Sequence, residues 1–120
     1  MVNLGDTFLG GSEVHGEDHL WIVINDPQAH DGLALMVNVS TLRPDAERTC
    51  ILQSGEHPFI LHDSHVRFMS ARGPKTSDLA KLFKAGKLKP HESASQNLLA
   101  KIRAAAAASP MLATELKALL

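Results

Sequence analysis

The chain has 120 residues, 44% of them apolar and 21% charged, and its formal net charge is −1. This length suits one domain, and the balance of apolar to charged residues excludes a disordered or fibrous protein. A single cysteine excludes an internal disulfide and favours a reducing compartment. Without a secretory leader or an apolar run of about 20 residues, we expect a cytoplasmic protein that does not enter a membrane.

The first 72 residues predict five or six short strands. Segments of alternating or continuous apolar residues recur about every ten residues and are separated by turn-forming glycine, proline and polar residues, including a polar loop around Gly16. In the last segment, Val66 and Phe68 should face inward, and His65 and Arg67 outward. The pattern predicts a small barrel or sandwich over residues 1–72. The segments are 5–9, 19–25, 32–40, 49–52, 57–60 and 64–69.

Beyond Gly73-Pro74 the spacing of apolar residues becomes helical. Ser77 can cap a first helix, Pro90 interrupts the pattern, and Ser109-Pro110 is typical of the start of a last helix. Residues 73–120 are therefore expected to form a helical tail, packed on the barrel or on a partner. The predicted helices cover residues 78–86, 95–108 and 110–120.

Charge is divided unevenly between these two parts. Residues 1–72 contain ten carboxylates, four arginines and no lysine, whereas residues 73–120 contain eight basic and three acidic side chains. An acidic body and a basic tail can attract each other, and the tail can also bind a polyanion. Lys81, Lys84 and Lys87 form a basic strip that could contact RNA or an acidic partner; such lysines also commonly form a solvated helix face.

Three segments carry a resemblance to a known family. Gly5-Asp6 opens the first strand, residues 21–26 read WIVIND, and residues 35–41 read LMVNVST. Over residues 5–72 the chain resembles the MazF/PemK-like toxin endoribonucleases. The resemblance implies an SH3-like barrel followed by C-terminal helices, a homodimer, an antitoxin-like protein partner, and RNA cleavage without a metal or another cofactor.

The catalytic positions of that family are only partly kept. The family has an arginine and a proline just before its second apolar strand, where this chain has His19 and Leu20. The family's catalytic serine or threonine falls at Ser40 or Thr41. The arginine that serves catalysis in the family is therefore missing from its usual position.

Metal-free RNA cleavage requires a base for the 2′-hydroxyl, an acid for the leaving oxygen, and donors or cations for the phosphate. His19 could act as the base, Ser40 or Thr41 could donate to the phosphate, and Arg43 or Arg67 could supply charge. The same residues also fit a structural role, with His19 at a strand edge and Ser40-Thr41 in a turn.

A second polar cluster contains four residues. Asp63 could orient a histidine and Ser64 could donate a hydrogen bond, although all four also suit an ordinary loop. Cys50 and the nearby histidines match no compact zinc-binding spacing, so we expect no metal, and a strand cysteine is usually a small buried apolar residue. The cluster consists of His57, His62, Asp63 and Ser64.

Two functions remain open from the sequence. The first is a toxin-type endoribonuclease or a close relative. The second is a non-catalytic SH3-like interaction module whose helical tail packs on a partner or on a second copy. The acidic barrel and the missing arginine favour the second function, because an RNA groove needs positive charge.

Overall fold

The computed structural model describes residues 2–11 and 18–120 and forms a six-stranded antiparallel sheet with helices. The strand order is β4-β5-β3-β2-β1-β6. The strands are β1 (Thr7–Gly11), β2 (Asp18–Val23), β3 (Met36–Thr41), β4 (Ile51–Leu52), β5 (Ser64–Arg72) and β6 (Leu88–His91). The helices are α1 (Thr76–Lys84), α2 (Gln96–Ala108) and α3 (Thr114–Lys117), with a short 3₁₀ turn at Pro27–Ala29.

Strands combined with C-terminal helices are confirmed, but the predicted barrel does not close. Within the described residues, β4 and β6 lie at opposite edges of the sheet and do not pair with each other. The apolar face of the sheet is buried by α2 and not by closure of the sheet into a barrel. The protein is therefore a small mixed α/β structure built on an open sheet.

Five of the six predicted strand segments contain a strand, with shifted ends. The segment at 57–60 was predicted wrongly, because it belongs to a turn in which the Ile60 N–H donates to the His57 carbonyl and the Gly55 N–H donates to the Ile60 carbonyl. Gly55 has a φ of 93°, a left-handed conformation that suits glycine. The predicted loop around Gly16 lies outside the described residues.

The predicted tail is not wholly helical. The residues around Pro90 form β6, which pairs with β1 and extends the sheet. The second predicted helix is confirmed as α2, with the Ser95 hydroxyl accepting from the Leu98 N–H at 3.1 Å. The first helix begins at Thr76 rather than after Ser77. The last is much shorter than predicted, because Leu112 is buried in the core before α3 begins.

The two faces of the sheet have different partners. Cross-strand pairing puts Leu20, Val39 and Val66 in one row on the same face. This inner face packs against Leu98 and Ile102 of α2 and forms the main core. No helix in the described ranges is long and apolar enough to cross a membrane.

The outer face of the sheet is divided into two halves. In the covered half, Phe8 and Met36 pack beneath Leu79 and Phe83 of α1, and the Phe8 and Phe83 rings meet edge to face with centroids 5.3 Å apart. Helix α1 does not extend over the rest of this face. The remainder, called the open half, carries His19, Ser40, His65 and Arg67, and it holds the candidate site.

Candidate functional site

A cavity of about 660 Å³ lies over the open half of the outer face. Strands β2, β3 and β5 contribute to its lining, together with the 42–49 and 53–63 loops. All four residues predicted to be catalytic line this cavity, although they come from separate stretches of the sequence. They are His19, Ser40, Thr41 and Arg43.

The strand pairing explains why these residues meet. His19 precedes the buried Leu20 on β2, and Ser40 follows the buried Val39 on β3, so both polar side chains lie on the outer face. Ser40 is paired with His65 of β5. Because the apolar side chains of these strands are buried on the inner face, the polar side chains next to them in sequence must lie on the outer face.

Thr41 and His62 form a direct contact inside the cavity. The Thr41 Oγ1 and His62 Nε2 atoms are 3.0 Å apart, and the imidazole tautomer decides which of them donates. Of the second predicted cluster, Ser64 also lines the cavity, and its hydroxyl donates to the His62 carbonyl at 2.9 Å. His62 thus belongs to the same site as Thr41.

The other two members of that cluster lie elsewhere. His57 is only 2% exposed: its Nδ1 accepts from the Phe59 N–H at 3.0 Å, and its Nε2 donates to the Glu92 carbonyl at 2.6 Å. These bonds tie the 53–63 loop to the end of β6. Asp63 is exposed outside the cavity, and its carbonyl accepts from the Leu42 N–H. The four predicted residues therefore do not form one constellation.

Glu47 holds the 42–49 loop against the sheet. Its two carboxylate oxygens accept from the N–H groups of Phe68 and Met69, at 3.1 and 3.0 Å. The register of the β3–β5 pairing shifts between Met36 and Asn38, which indicates a β-bulge. At this bulge the Glu47 carboxylate accepts backbone hydrogen bonds that a neighbouring strand would otherwise accept. The sequence did not reveal this role, since a bulge leaves no readable pattern. Because both oxygens bind backbone, Glu47 is a poor general base.

His65 is buried, contrary to the prediction that it faces solvent. It does point to the outer face, but with the 42–49 loop held over that face it is only 4% exposed. Desolvation lowers the pKa of His65; the charge of Glu47 opposes this change and the charge of Arg67 adds to it. The imidazole is therefore held in its neutral form.

Two buried polar atoms on the outer face have no partner in the described residues, and of the two residues only His65 lines the cavity. In the described part of the structure, neither the His65 Nδ1 nor the Asn38 Oδ1 has a hydrogen bond. Asn38 lies on the same outer face and is 6% exposed. An unsatisfied buried polar group costs about 1–3 kcal/mol, and such groups often mark functional sites.

Cys50 is not a reactive residue. Its side chain is 3% exposed within the main core, as the sequence predicted. Burial raises the pKa of the Cys50 thiol, a change that the charge of Lys101 opposes, and the group stays protonated. Across residues 2–11 and 18–120, no group of three or more histidine, cysteine or carboxylate side chains is arranged to hold a metal ion.

The charge of the cavity is mixed. Three carboxylates line it, against the two guanidinium groups of Arg43 and Arg67. The predicted basic strip of Lys81, Lys84 and Lys87 is exposed on α1 and just after it, and it does not line the cavity. Any role for these lysines in contacting RNA would lie outside this site. The carboxylates are Asp18, Asp45 and Glu47.

The fold and the cavity together define a small mixed α/β protein with a polar site on one open sheet face. No protein-family model matches the chain, and no curated protein matches it with significant similarity. The resemblance to the MazF/PemK-like family therefore depends on the three strand segments of the sequence alone.

Proposed function

We propose that this chain is a metal-independent, toxin-type endoribonuclease related to the MazF/PemK-like family. The observation that carries the proposal is the shared cavity of His19, Thr41, Arg43 and His62. Two imidazoles, a guanidinium and hydroxyls are the groups that cleavage of RNA without a metal requires. An SH3-like ancestry of the sheet, a homodimer and an antitoxin-like protein partner are parts of the same proposal.

The reaction assigns the two imidazoles opposite roles. His19 takes the proton of a ribose 2′-hydroxyl, and the 2′-oxygen attacks the adjacent phosphorus. The bond between phosphorus and the 5′-oxygen breaks, and His62 gives its proton to that oxygen. The products are a 2′,3′-cyclic phosphate and a 5′-hydroxyl. Histidine suits both steps because it exchanges protons near neutral pH.

The remaining residues bind the phosphate and orient the acid. Arg43 and the hydroxyl of Ser40 stabilise the charge that develops on the phosphate oxygens. Thr41 holds the His62 ring through their 3.0 Å contact. Arg43 takes over the role of the family arginine that His19 replaces. Arg67, exposed on β5, supplies a second positive charge.

RNA cleavage by purified protein in the presence of EDTA tests this proposal. Replacing His19 or His62 by alanine should lower the cleavage rate by about 10²–10⁴-fold, as expected for loss of a general acid or base. His30→Ala is the matched control, because His30 follows the 3₁₀ turn and lies away from the cavity. No cleavage, or cleavage that neither cavity substitution changes, would overturn the proposal.

The alternative is a non-catalytic interaction module, which the excess of carboxylates in the cavity favours. Leu61 and Met69, 77% and 56% exposed, also line this cavity and could contact a protein partner. A module of this kind would bind a basic, partly apolar peptide. Peptide binding that Asp45→Asn weakens, with no RNA cleavage, would favour this alternative over the nuclease.

A further inference from the structure

We propose that the backbone N–H groups of Phe68 and Met69 form a phosphate-binding site, which the chain's own Glu47 carboxylate occupies when no ligand is bound. The ligand is a phosphate group, either free or within an RNA backbone. The inference rests on the proposed ribonuclease function for the RNA alone, in which the site holds a phosphate beside the one that is cleaved. Glu47 then acts as a built-in competitor that a phosphate displaces.

The first step of the argument is the geometry of the two N–H groups. Phe68 and Met69 are consecutive in β5, yet both donate to the Glu47 carboxylate, at 3.1 and 3.0 Å. In a regular strand, successive N–H groups point in opposite directions, each towards a different neighbour. The β-bulge turns both towards one side, and consecutive N–H groups that converge in this way form an anion-binding concavity. The Glu47 carboxylate is itself an anion held there.

The second step is the positive charge beside this concavity. Arg67 directly precedes Phe68 in β5 and is exposed, and Arg43 belongs to the loop that carries Glu47. Both guanidinium groups line the cavity together with Glu47. Among the described residues, neither guanidinium group forms an ion pair. Two arginines next to the concavity are therefore available to an anion that comes from solution.

The third step compares the two anions. A carboxylate has two oxygens in one plane, and in Glu47 each of them accepts from one N–H group. The oxygens of a phosphate point in tetrahedral directions, so a phosphate on the same N–H groups can also accept from a guanidinium. Arginine binds phosphate through two parallel hydrogen bonds. A phosphate thus gains Arg67 as a partner, which the Glu47 carboxylate does not have.

The last step is how Glu47 can leave the concavity. Glu47 is only half-buried, and Met69 is mostly exposed and lines the cavity, so a ligand reaches the N–H groups from the cavity side. The Ala46 N–H and the Arg48 guanidinium donate to the Arg43 carbonyl, and these hydrogen bonds lie within the 42–49 loop. The loop therefore keeps its own shape when its carboxylate is displaced.

A nuclear magnetic resonance titration of the isotope-labelled protein with potassium phosphate tests this inference, with potassium chloride of equal ionic strength as the reference. In the wild type, phosphate should shift the amide resonances of Phe68 and Met69. Glu47→Gln should lower the dissociation constant for phosphate about tenfold, because it removes the competing charge from the N–H groups. Asp45→Asn is the matched control and should lower it less than about twofold. It removes a carboxylate from the same loop and cavity, but the described structure gives Asp45 no hydrogen bond to β5.

Arg67 provides a second test, which does not depend on the stability of the Glu47 variant. Arg67→Gln should raise the dissociation constant for phosphate about tenfold in an otherwise wild-type chain, since it removes a charged partner of the phosphate. Lys84→Gln is the matched control, because it removes one positive charge from an exposed position on α1 outside the cavity. Equal effects of the two substitutions would overturn the inference.

A 2′-O-methyl RNA distinguishes the two sources of phosphate. All its phosphates are internal diesters, and the methyl group blocks the attacking 2′-hydroxyl, so it binds without being cleaved. Shifts of the Phe68 and Met69 amides by this RNA, reversed by Arg67→Gln, support the inference with RNA as the source. Shifts by inorganic phosphate alone support it with free phosphate as the source.

The outcomes separate this inference from the nuclease proposal. Phosphate binding at the two amides that Glu47→Gln tightens supports the inference even where RNA is not cleaved, in which case only the nuclease proposal fails. Cleavage of RNA without phosphate binding at these amides overturns the inference and leaves the nuclease standing, as does tightening by Asp45→Asn equal to that by Glu47→Gln. Absence of both binding and cleavage overturns both. Thermal unfolding of each variant establishes that it is folded, and the wild-type titration needs no variant.

Discussion

The covered and open halves of the outer face share strands β2 and β3 but have opposite surroundings. In the covered half, Phe8 and Met36 are packed under Leu79 of α1. In the open half, no helix of the described ranges covers the sheet, and a cavity is lined by side chains such as His19 and Ser40. The first half packs an apolar cluster under a helix, whereas the second half holds the cavity of the proposed site.

Buried asparagines show the same contrast. Asn25 is fully buried, donates to the Leu33 carbonyl at 3.0 Å, and accepts from the Leu35 N–H at 2.7 Å. Asn38 is nearly as buried, yet its Oδ1 has no partner in the described structure. One asparagine therefore bridges two backbone groups, whereas the other has an unpaired buried oxygen on the outer face. Substitutions in matched pairs can separate the two roles.

The largest effect on stability is expected from the apolar contact in the covered half. Leu79→Ala should lower the free energy of unfolding by about 2–5 kcal/mol, because Leu79 is 1% exposed and its removal leaves a cavity. Met69→Ala in the open half should change it by less than about 0.5 kcal/mol. Urea denaturation measures both, and equal losses would contradict the division into two halves.

The next largest difference in the free energy of unfolding is expected between substitutions of the two asparagines. Asn25→Leu should cost about 1–3 kcal/mol, since it leaves a backbone N–H and a carbonyl without their partner. Asn38→Leu should leave the free energy of unfolding, measured by urea denaturation, unchanged or raised, because it removes a buried oxygen that has no partner. If Asn38→Leu costs as much as Asn25→Leu, then the Oδ1 of Asn38 has a partner in solution and the contrast fails.

The histidine pair His57 and His62 should behave in opposite ways. His57→Ala should cost about 1–2 kcal/mol, because it removes the bonds to Phe59 and Glu92. His62→Ala should change stability by less than about 0.5 kcal/mol, as His62 is exposed, but it should lower the rate of RNA cleavage by about 10²–10⁴-fold. Thermal unfolding and a cleavage assay on the same samples measure the two effects. Loss of cleavage in a well-folded His57→Ala variant would contradict this assignment.

The smallest effect is a pH dependence from His65. Burial lowers the pKa of His65 below the usual value of 6.5, so the unfolded chain binds more protons than the folded protein as the pH falls through that value. Protonation therefore favours unfolding at acidic pH. Wild-type protein should lose more stability than His65→Phe between about pH 7.5 and about pH 5. Parallel pH profiles for the two proteins would show that His65 is not buried in solution.

The sequence predicted the strands better than the way they are assembled. The apolar runs of β2, β3 and β5 were readable because their alternation follows burial. The opening of the sheet and the pairing of β6 with β1 were not readable, since Pro90 suggested only a break and pairing depends on distant segments. The length of α3 was also wrong, because the burial of Leu112 is a tertiary contact.

Part of the candidate site was likewise predictable. His19, Ser40, Thr41 and Arg43 were found from residue type and from the family resemblance, and they share one cavity. The burial of His65 was not predicted, because strand alternation gives the face of a side chain but not what covers it. The Glu47 contacts that help to cover it cross 21 residues of sequence.

The chemistry of the cleavage products tests the central claim most directly. A synthetic RNA and a DNA of the same sequence are incubated with the protein in EDTA, and the fragments are identified by mass spectrometry. The account predicts that only the RNA is cut, giving 2′,3′-cyclic phosphate and 5′-hydroxyl ends, and that His19→Ala lowers the rate at which these products form by about 10²–10⁴-fold. Intact RNA, cleavage of the DNA, or fragments with 5′-phosphate ends would contradict it.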